Sequence, residues 1–254
     1  MDAITTLDTP DHRQYGGSIS HLDTAFDAAF KQHKGLTWLP WVGDLYQTSP
    51  SRMLLLGESN YNWEKDKTSN PQSWALVDEE VNHQLLTRIF VAKHALGKRV
   101  PARFSKNIER LLLDEPDPQE DRTTHQWRSS SYLNLVQRPM TSQKMRPEWS
   151  DFAAGWKVVF PLIDLLKPRI IIHAGTGHLK RAAFHAALIA HAGVIRAESC
   201  SPPISKTFGM SFRITTMHGH QVHVVMVMHP SSPNFSRLKW GGNVAEVLRA
   251  GAAG

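Results

Sequence analysis

The sequence predicts an α/β fold in which a parallel or mostly parallel sheet is covered by helices on both faces. Three observations predict it. Four short aliphatic runs recur along the 254 residues, and helix-spaced segments lie between them. Strands that alternate with helices pair in parallel through crossovers, and the crossover helices then cover the sheet. A composition of 41% hydrophobic and 20% charged residues is enough to bury one sizeable core.

The elements follow in order. Residues 1–20 are polar and turn-rich and read as a flexible N-terminal arm on a single domain spanning 1–254. Leu22, Ala25, Phe26, Ala29 and Phe30 keep helical spacing, which predicts a helix over Ser20–Gln32. The first strand is Arg52–Leu56. A helical pattern over Val81–Leu96 ends at Gly97, a suitable C-terminal glycine. A second helix covers Ser105–Leu113, with Glu109 in its second turn. The second strand is Ser131–Val136. A helix over Asp151–Leu166 is capped by Asp151 and stopped before Pro168. Arg169–His173 is the third strand, His178–His191 an Ala-rich helix, Val222–Met228 the fourth strand and Asn243–Arg249 a last helix.

Several classes are excluded or disfavoured. No run of about 18 apolar residues exists, so no membrane span is expected. The N-terminal segment lacks the basic lead and apolar stretch of a signal peptide. A single cysteine, Cys200, excludes an internal disulfide framework, a multi-cysteine zinc site and a four-cysteine iron–sulfur cluster. A cytoplasmic monomer without metal or cofactor is expected. The net charge of +6 suits a polyanionic partner. The basic residues Arg88, Lys93, Lys98, Arg99, Arg103, Lys106 and Arg110 form either a solvated face or a nucleic-acid face. His218, His220 and His223 invite a metal, but a hairpin turning at Gly219 accounts for them more simply. Trp38, Trp41 and Trp63 read as core or pocket wall.

Ligands of such folds bind at the carboxyl ends of the strands. The first strand runs into Gly57, Glu58, Ser59, Asn60, Tyr61 and Asn62. The second carries Asn134 among apolar neighbours, and an amide there must find partners, because unpaired burial costs about 1–3 kcal/mol. Its carbonyl and NH₂ groups suit the edge of an amide-like heterocycle. The third strand ends in the glycine turn Gly175-Thr176-Gly177. The fourth ends in His229-Pro230-Ser231-Ser232-Pro233-Asn234-Phe235-Ser236, where prolines fix φ and serines offer uncharged donors to phosphate.

These four pieces, in this order and spacing from about Met53 to Trp240, resemble the uracil-DNA glycosylase superfamily. The resemblance implies a three-layer α/β/α sandwich around a central, mostly parallel four-stranded sheet. It implies a monofunctional DNA glycosylase that extrudes a base from duplex DNA and hydrolyses its N-glycosidic bond, leaving an abasic site. By the resemblance, His229 faces the base carbonyl oxygen, Asn134 reads the base edge, Gly57 backs the base and Tyr61 crowds the pyrimidine 5-position. A bulky residue beyond the HPS segment fills the hole left by the base; Phe235 and Asn234 are the candidates. Ser231, Ser232 and Ser236 are expected on phosphates, with Arg237 adding charge.

The first motif departs from its relatives. The best-known branch has Asp at the position of Ser59, Pro at Asn60 and His at Asn62, and other branches have Asn or Ala at the Ser59 position. Serine alone is a poor base. Glu58 is the one carboxylate of the loop, and Asn60 or Asn62 can instead orient water. The substrate stays open among uracil, hypoxanthine and a hypermodified pyrimidine such as glucosylated hydroxymethylcytosine of phage DNA, whose excision would serve defence rather than repair. A GDS-type serine hydrolase using Ser59 and His229 is a rival, but Met226 stands where such enzymes keep an acid, and Tyr61 breaks Gly-x-Ser-x-Gly. A non-catalytic DNA-binding relative is the other.

Overall fold

All four aliphatic runs form strands, and they lie side by side at the centre of one sheet. A computed structural model describes residues 19, 21–60, 83–97, 102–138, 140, 145–191, 194–199 and 210–253. In chain order its elements are α1 (Asp27–Gln32), β1 (Trp41–Val42), β2 (Met53–Gly57), α2 (Leu86–Val91), α3 (Arg103–Leu112), α4 (Glu120–Arg128) and β3 (Ser130–Asn134). There follow α5 (Trp149–Leu166), β4 (Ile170–Ala174), α6 (His178–Ala190), β5 (Val194–Ser199), β6 (Met210–Thr216), β7 (Gln221–Val227) and α7 (Arg237–Ala253). The arm over 1–20, apart from Ile19, and Tyr61, Asn62, Trp63, Lys98, Arg99 and Cys200 lie outside the described residues.

The expected four-stranded sheet is the parallel centre of a larger mixed one. The order is β1-β3-β2-β4-β7-β6-β5, seven strands among the described residues. β3, β2, β4 and β7 run parallel, whereas β1 joins β3, and β6 joins β7 and β5, in antiparallel fashion. The added strands escaped the sequence reading for physical reasons. β1 is two residues long, and β6 (MSFRITT) mixes polar and apolar side chains because its outer residues Arg213 and Thr215 are not buried. Parallel central strands, covered on both faces, show instead the continuous apolar run that is easily read.

Side chains alternate between two cores. Leu54, Leu56, Leu133, Ile171, Val224 and Met226 pack with Trp156, Phe160 and Phe184 of α5 and α6. Met53, Leu55, Tyr132, Ile170, Ile172, Val225 and Val227 pack with Phe104 and Ile108 of α3 and Trp240 and Val244 of α7. Helices thus cover both faces, and Trp38 and Trp41 are core residues. No described helix is long and apolar enough to cross a membrane.

Several boundaries move. The first helix begins at Asp27, not Ser20, because Leu22 bridges to Gly43 and Asp23 Oδ1 accepts the Ala25 N–H at 2.9 Å, turning the chain first. The pattern over Val81–Leu96 divides into a 3₁₀ turn at His83–Leu85, α2, and a π turn at Ala92–Leu96. α5 starts at Trp149; Glu148 is its N-cap, and Asp151 completes a reciprocal capping box while also receiving Arg138. α7 begins six residues earlier than expected, at Arg237. The polar helix α4 was not expected, since Thr123 and Trp127 are its only buried side chains. Arg88 lies on neither a solvated nor a DNA face: it is 2% exposed, bonded to Asp27 through both terminal nitrogens and to the Pro40 carbonyl at 3.0 Å. The MHGHQVH segment is a hairpin between β6 and β7, with Gly219 at φ +75° and its N–H on the Thr216 carbonyl.

α5 approaches the end of β3 closely enough that a Cβ at Gly155 would lie 2.2 Å from the Leu135 carbonyl oxygen. Backbone cannot yield there, so Gly155→Ala should lower stability by about 1–3 kcal/mol. Gly242 in α7 is exposed with nothing within 4 Å of its would-be Cβ. Gly242→Ala should therefore raise stability by up to about 1 kcal/mol. Urea midpoints of the two variants check both signs.

Candidate functional site

Because β2, β3, β4 and β7 are parallel, their carboxyl ends share one edge of the sheet. Residues 58–60, 135–138, 175–177 and 228–236 therefore converge there. The β2 and β3 ends are laced together by backbone: Leu135 N–H donates to Gly57 O at 3.0 Å, Val136 N–H to Glu58 O at 2.9 Å, and Met140 N–H to Asn60 O at 2.9 Å.

Asn134 is 5% exposed and fully oriented. Its Oδ1 accepts the Tyr132 hydroxyl at 2.9 Å, and its Nδ2 donates to Asn60 Oδ1 at 2.7 Å. Those bonds leave one Nδ2 hydrogen and further Oδ1 capacity. Gly57 is its partner in the β2–β3 register, and a Cβ at 57 would lie 2.1 Å from Oδ1 and 2.6 Å from the Tyr132 oxygen. Burial pushes the Tyr132 hydroxyl far above its usual range, so it remains a neutral donor.

Glu58 is ion-paired with Lys180 of α6, both side chains being largely buried. Burial alone would raise the Glu58 carboxyl. Lys180, by charge and hydrogen bond, outweighs it together with His229 and Arg146, and the carboxyl sits below its ordinary range. Ser59 Oγ and Asn60 Nδ2 are buried without a hydrogen-bond partner among the described residues. Ser59 is therefore not hydrogen-bonded to His229, as a serine hydrolase dyad requires.

His229 follows β7 and packs against the Phe104 ring at 5.6 Å. Its Nδ1 accepts the Ser231 N–H at 3.2 Å, which leaves the ring proton on Nε2. Burial, assisted by Lys180 and Arg146 and opposed by Glu58, lowers its pKa to about 4. At neutral pH the group is an uncharged Nε2–H donor. His173, deeper on β4, is fully buried, and burial with the charges of Lys180 and His229, opposed by the Gly175 backbone, lowers its pKa to about 3.

The loop after His229 is gripped by α3: Asn107 Nδ2 donates to Pro230 O at 2.7 Å, and Arg103 Nη2 to Ser232 O at 3.4 Å. Ser231, Ser232 and Ser236 are partly exposed and Asn234 is exposed. Phe235 packs partly buried against the α3/α7 core. Arg237 is engaged by Asp114, whose carboxylate and carbonyl it meets at 2.5 and 3.0 Å.

The structure thus brings together Gly57, Glu58, Ser59, Asn60, Asn134 and His229, while Tyr61 and Asn62 lie outside the described residues. Sequence reasoning missed Lys180, Tyr132, Arg146 and the exposed Leu238. One signal was available. Tyr132 is two residues before Asn134, hence on the same face of the strand. No protein-family model matches the chain, and no curated protein matches it.

Two histidines held neutral make stability depend on pH. Unfolded, both titrate near 6.5; folded, only at about 4 and about 3. As pH falls below 6.5 the unfolded chain takes up protons first, so stability declines. Denaturant titrations between pH 7 and 5, above the carboxylate range, should show this decline. His173→Phe should flatten it, and an unchanged slope in that variant would mean His173 is solvated in the fold.

Proposed function

We propose that the chain is a monofunctional DNA glycosylase of the uracil-DNA glycosylase type. It acts on uracil or a modified pyrimidine in duplex DNA, works as a cytoplasmic monomer and needs no metal or cofactor. What carries this reading is one observation: an oriented amide (Asn134), an ionised carboxylate (Glu58) and a neutral N–H donor (His229) stand at the carboxyl ends of three parallel strands. The parallel strand centre and helices on both faces support a uracil-DNA glycosylase-like sandwich, here with added antiparallel edges.

In this reading the target base leaves the stack and enters the site. Asn134 reads its edge with the amide hydrogen and lone pair that Asn60 and Tyr132 leave. As the glycosidic bond lengthens, negative charge gathers on the base and positive charge on the sugar. The Nε2–H of His229 stabilises the base oxygen without giving up its proton. Glu58 stabilises the cationic sugar and orients water, with Asn60 and Asn62 assisting. Backbone and hydroxyl groups at Ser231, Ser232 and Ser236 hold phosphates.

The wedge reading shifts. Phe235 is partly committed to the core, whereas Leu238 is 80% exposed just beyond the same loop. Leu238, with Asn234 in the loop before it, is the better candidate to fill the gap in the duplex.

Duplexes carrying uracil, hypoxanthine, 5-hydroxymethylcytosine or its glucosylated form test the activity. We expect alkali-labile abasic sites from at least one, with EDTA present. His229→Ala should slow single-turnover excision by about 100-fold or more, since one donor to a developing anion is worth about 2.7–4 kcal/mol. DNA affinity should change little; equal losses in rate and affinity would make His229 structural. Leu238→Ala should impair excision from duplex far more than from single strands, where no gap opens. Equal impairment on both would remove Leu238 from the wedge role.

A further inference from the structure

We infer that Lys180 is a positioning residue that fixes the Glu58 carboxylate for its work on the sugar of the extruded nucleotide; the inference rests on the glycosylase reading above.

Three contacts confine the lysine. Its Nζ pairs with Glu58 Oε2, the side chains being only 15% and 12% exposed. The same nitrogen lies 5.4 Å from the centre of the Phe152 ring on α5, within the range of a cation–π contact. Its stem crosses the end of β4 against Gly175, where a Cβ would stand 2.8 Å from Nζ and 3.0 Å from Cδ. The glycine at 175 leaves room for the crossing. Lys180 is also the third residue of α6, where the helix's own positive end disfavours a cation. Its local setting thus works against it, and the Glu58 pair is what compensates.

The chemistry gives the pair a use. A carboxylate beside an oxocarbenium-like sugar stabilises it and orients water by accepting hydrogen bonds, while a protonated acid does neither as well. Glu58 is faced by Lys180 from α6, His229 from the loop after β7 and Arg146 ahead of α5. His173 on β4 lies near Lys180 and His229 and is held neutral. Burial is the largest influence on Glu58 and favours the protonated form, so losing Lys180 removes its principal opposition.

The test uses Lys180→Met, Lys180→Arg, Glu58→Gln and the double variant Glu58→Gln/Lys180→Met. Each is assayed by single-turnover excision, from pH 3 to 9, on the duplex the wild type cleaves. In Lys180→Met the acid limb should move upward by about 1–3 pH units, the shift an opposite charge at this range produces. Lys180→Arg should keep the limb near its wild-type place. In the Glu58→Gln background, Lys180→Met should cost nothing further, because a residue that acts through another shows no separate effect. An unmoved limb, or an equal fall in rate with and without Glu58→Gln, overturns the inference. A measurement without variants stands behind these should Lys180→Met fail to fold. Carbon NMR of wild type from pH 7 to 3 should show Glu58 titrating below the usual value near 4.3, and titration at or above that value overturns the inference. A wild type that excises nothing from any duplex overturns the glycosylase reading and this inference together. An active wild type indifferent to Lys180→Met overturns this inference alone.

Discussion

Gly57 and Asn134 face each other across two parallel strands, and the Asn134 amide occupies the space a side chain at 57 would need. That close approach organises the edge of the sheet. It lets the Tyr132 hydroxyl reach Oδ1 from one side and Asn60 meet Nδ2 from the other, so the amide has a single orientation. It also lets the chain after β2 run beside the chain after β3, bonded backbone to backbone from Gly57 to Asn60. Glu58 and Ser59 inherit their positions from this lacing. A side chain at 57 would displace the Asn134 amide and the Tyr132 hydroxyl that orients it.

The electrostatics of the site follow from burial more than from net charge. Lys180 is matched to Glu58, and Arg146 adds a second positive charge felt by both Glu58 and His229. The two imidazoles nearby respond by staying neutral, since charging either would add an unmatched buried cation. The arrangement separates roles: the carboxylate keeps its charge, and His229 keeps its proton at Nε2 because Ser231 occupies Nδ1. Groups of opposite preference coexist in a small volume because each is held by its own partner.

The centre of the fold was legible in the sequence because fully buried parallel strands write themselves as unbroken aliphatic runs. The four strand ends, and with them Glu58, Asn134 and His229, could be found by the rule that sites lie at carboxyl ends. What was hidden has a common cause, namely residues whose roles depend on contacts distant in sequence. Lys180 looks like any surface lysine on a helix until Glu58, 122 positions away, is placed beside it. Arg88 looks like a solvated charge until Asp27 meets it. Phe235 looked like a free aromatic in a polar loop, yet α3 and α7 leave a core surface for it. The antiparallel edges were missed because a short or half-exposed strand carries too few apolar residues to announce itself.

The grip of α3 on the loop after His229 has a consequence for how such a surface can change. Asn107 and Arg103 hold main-chain carbonyls, at Pro230 and Ser232, and not side chains. Carbonyl oxygens are the same whatever residue bears them. The loop's shape, and the placement of His229 at its root, are therefore insulated from mutation of its outward side chains. Ser231 and Asn234 can therefore change their side chains without disturbing the contacts that hold the backbone behind His229.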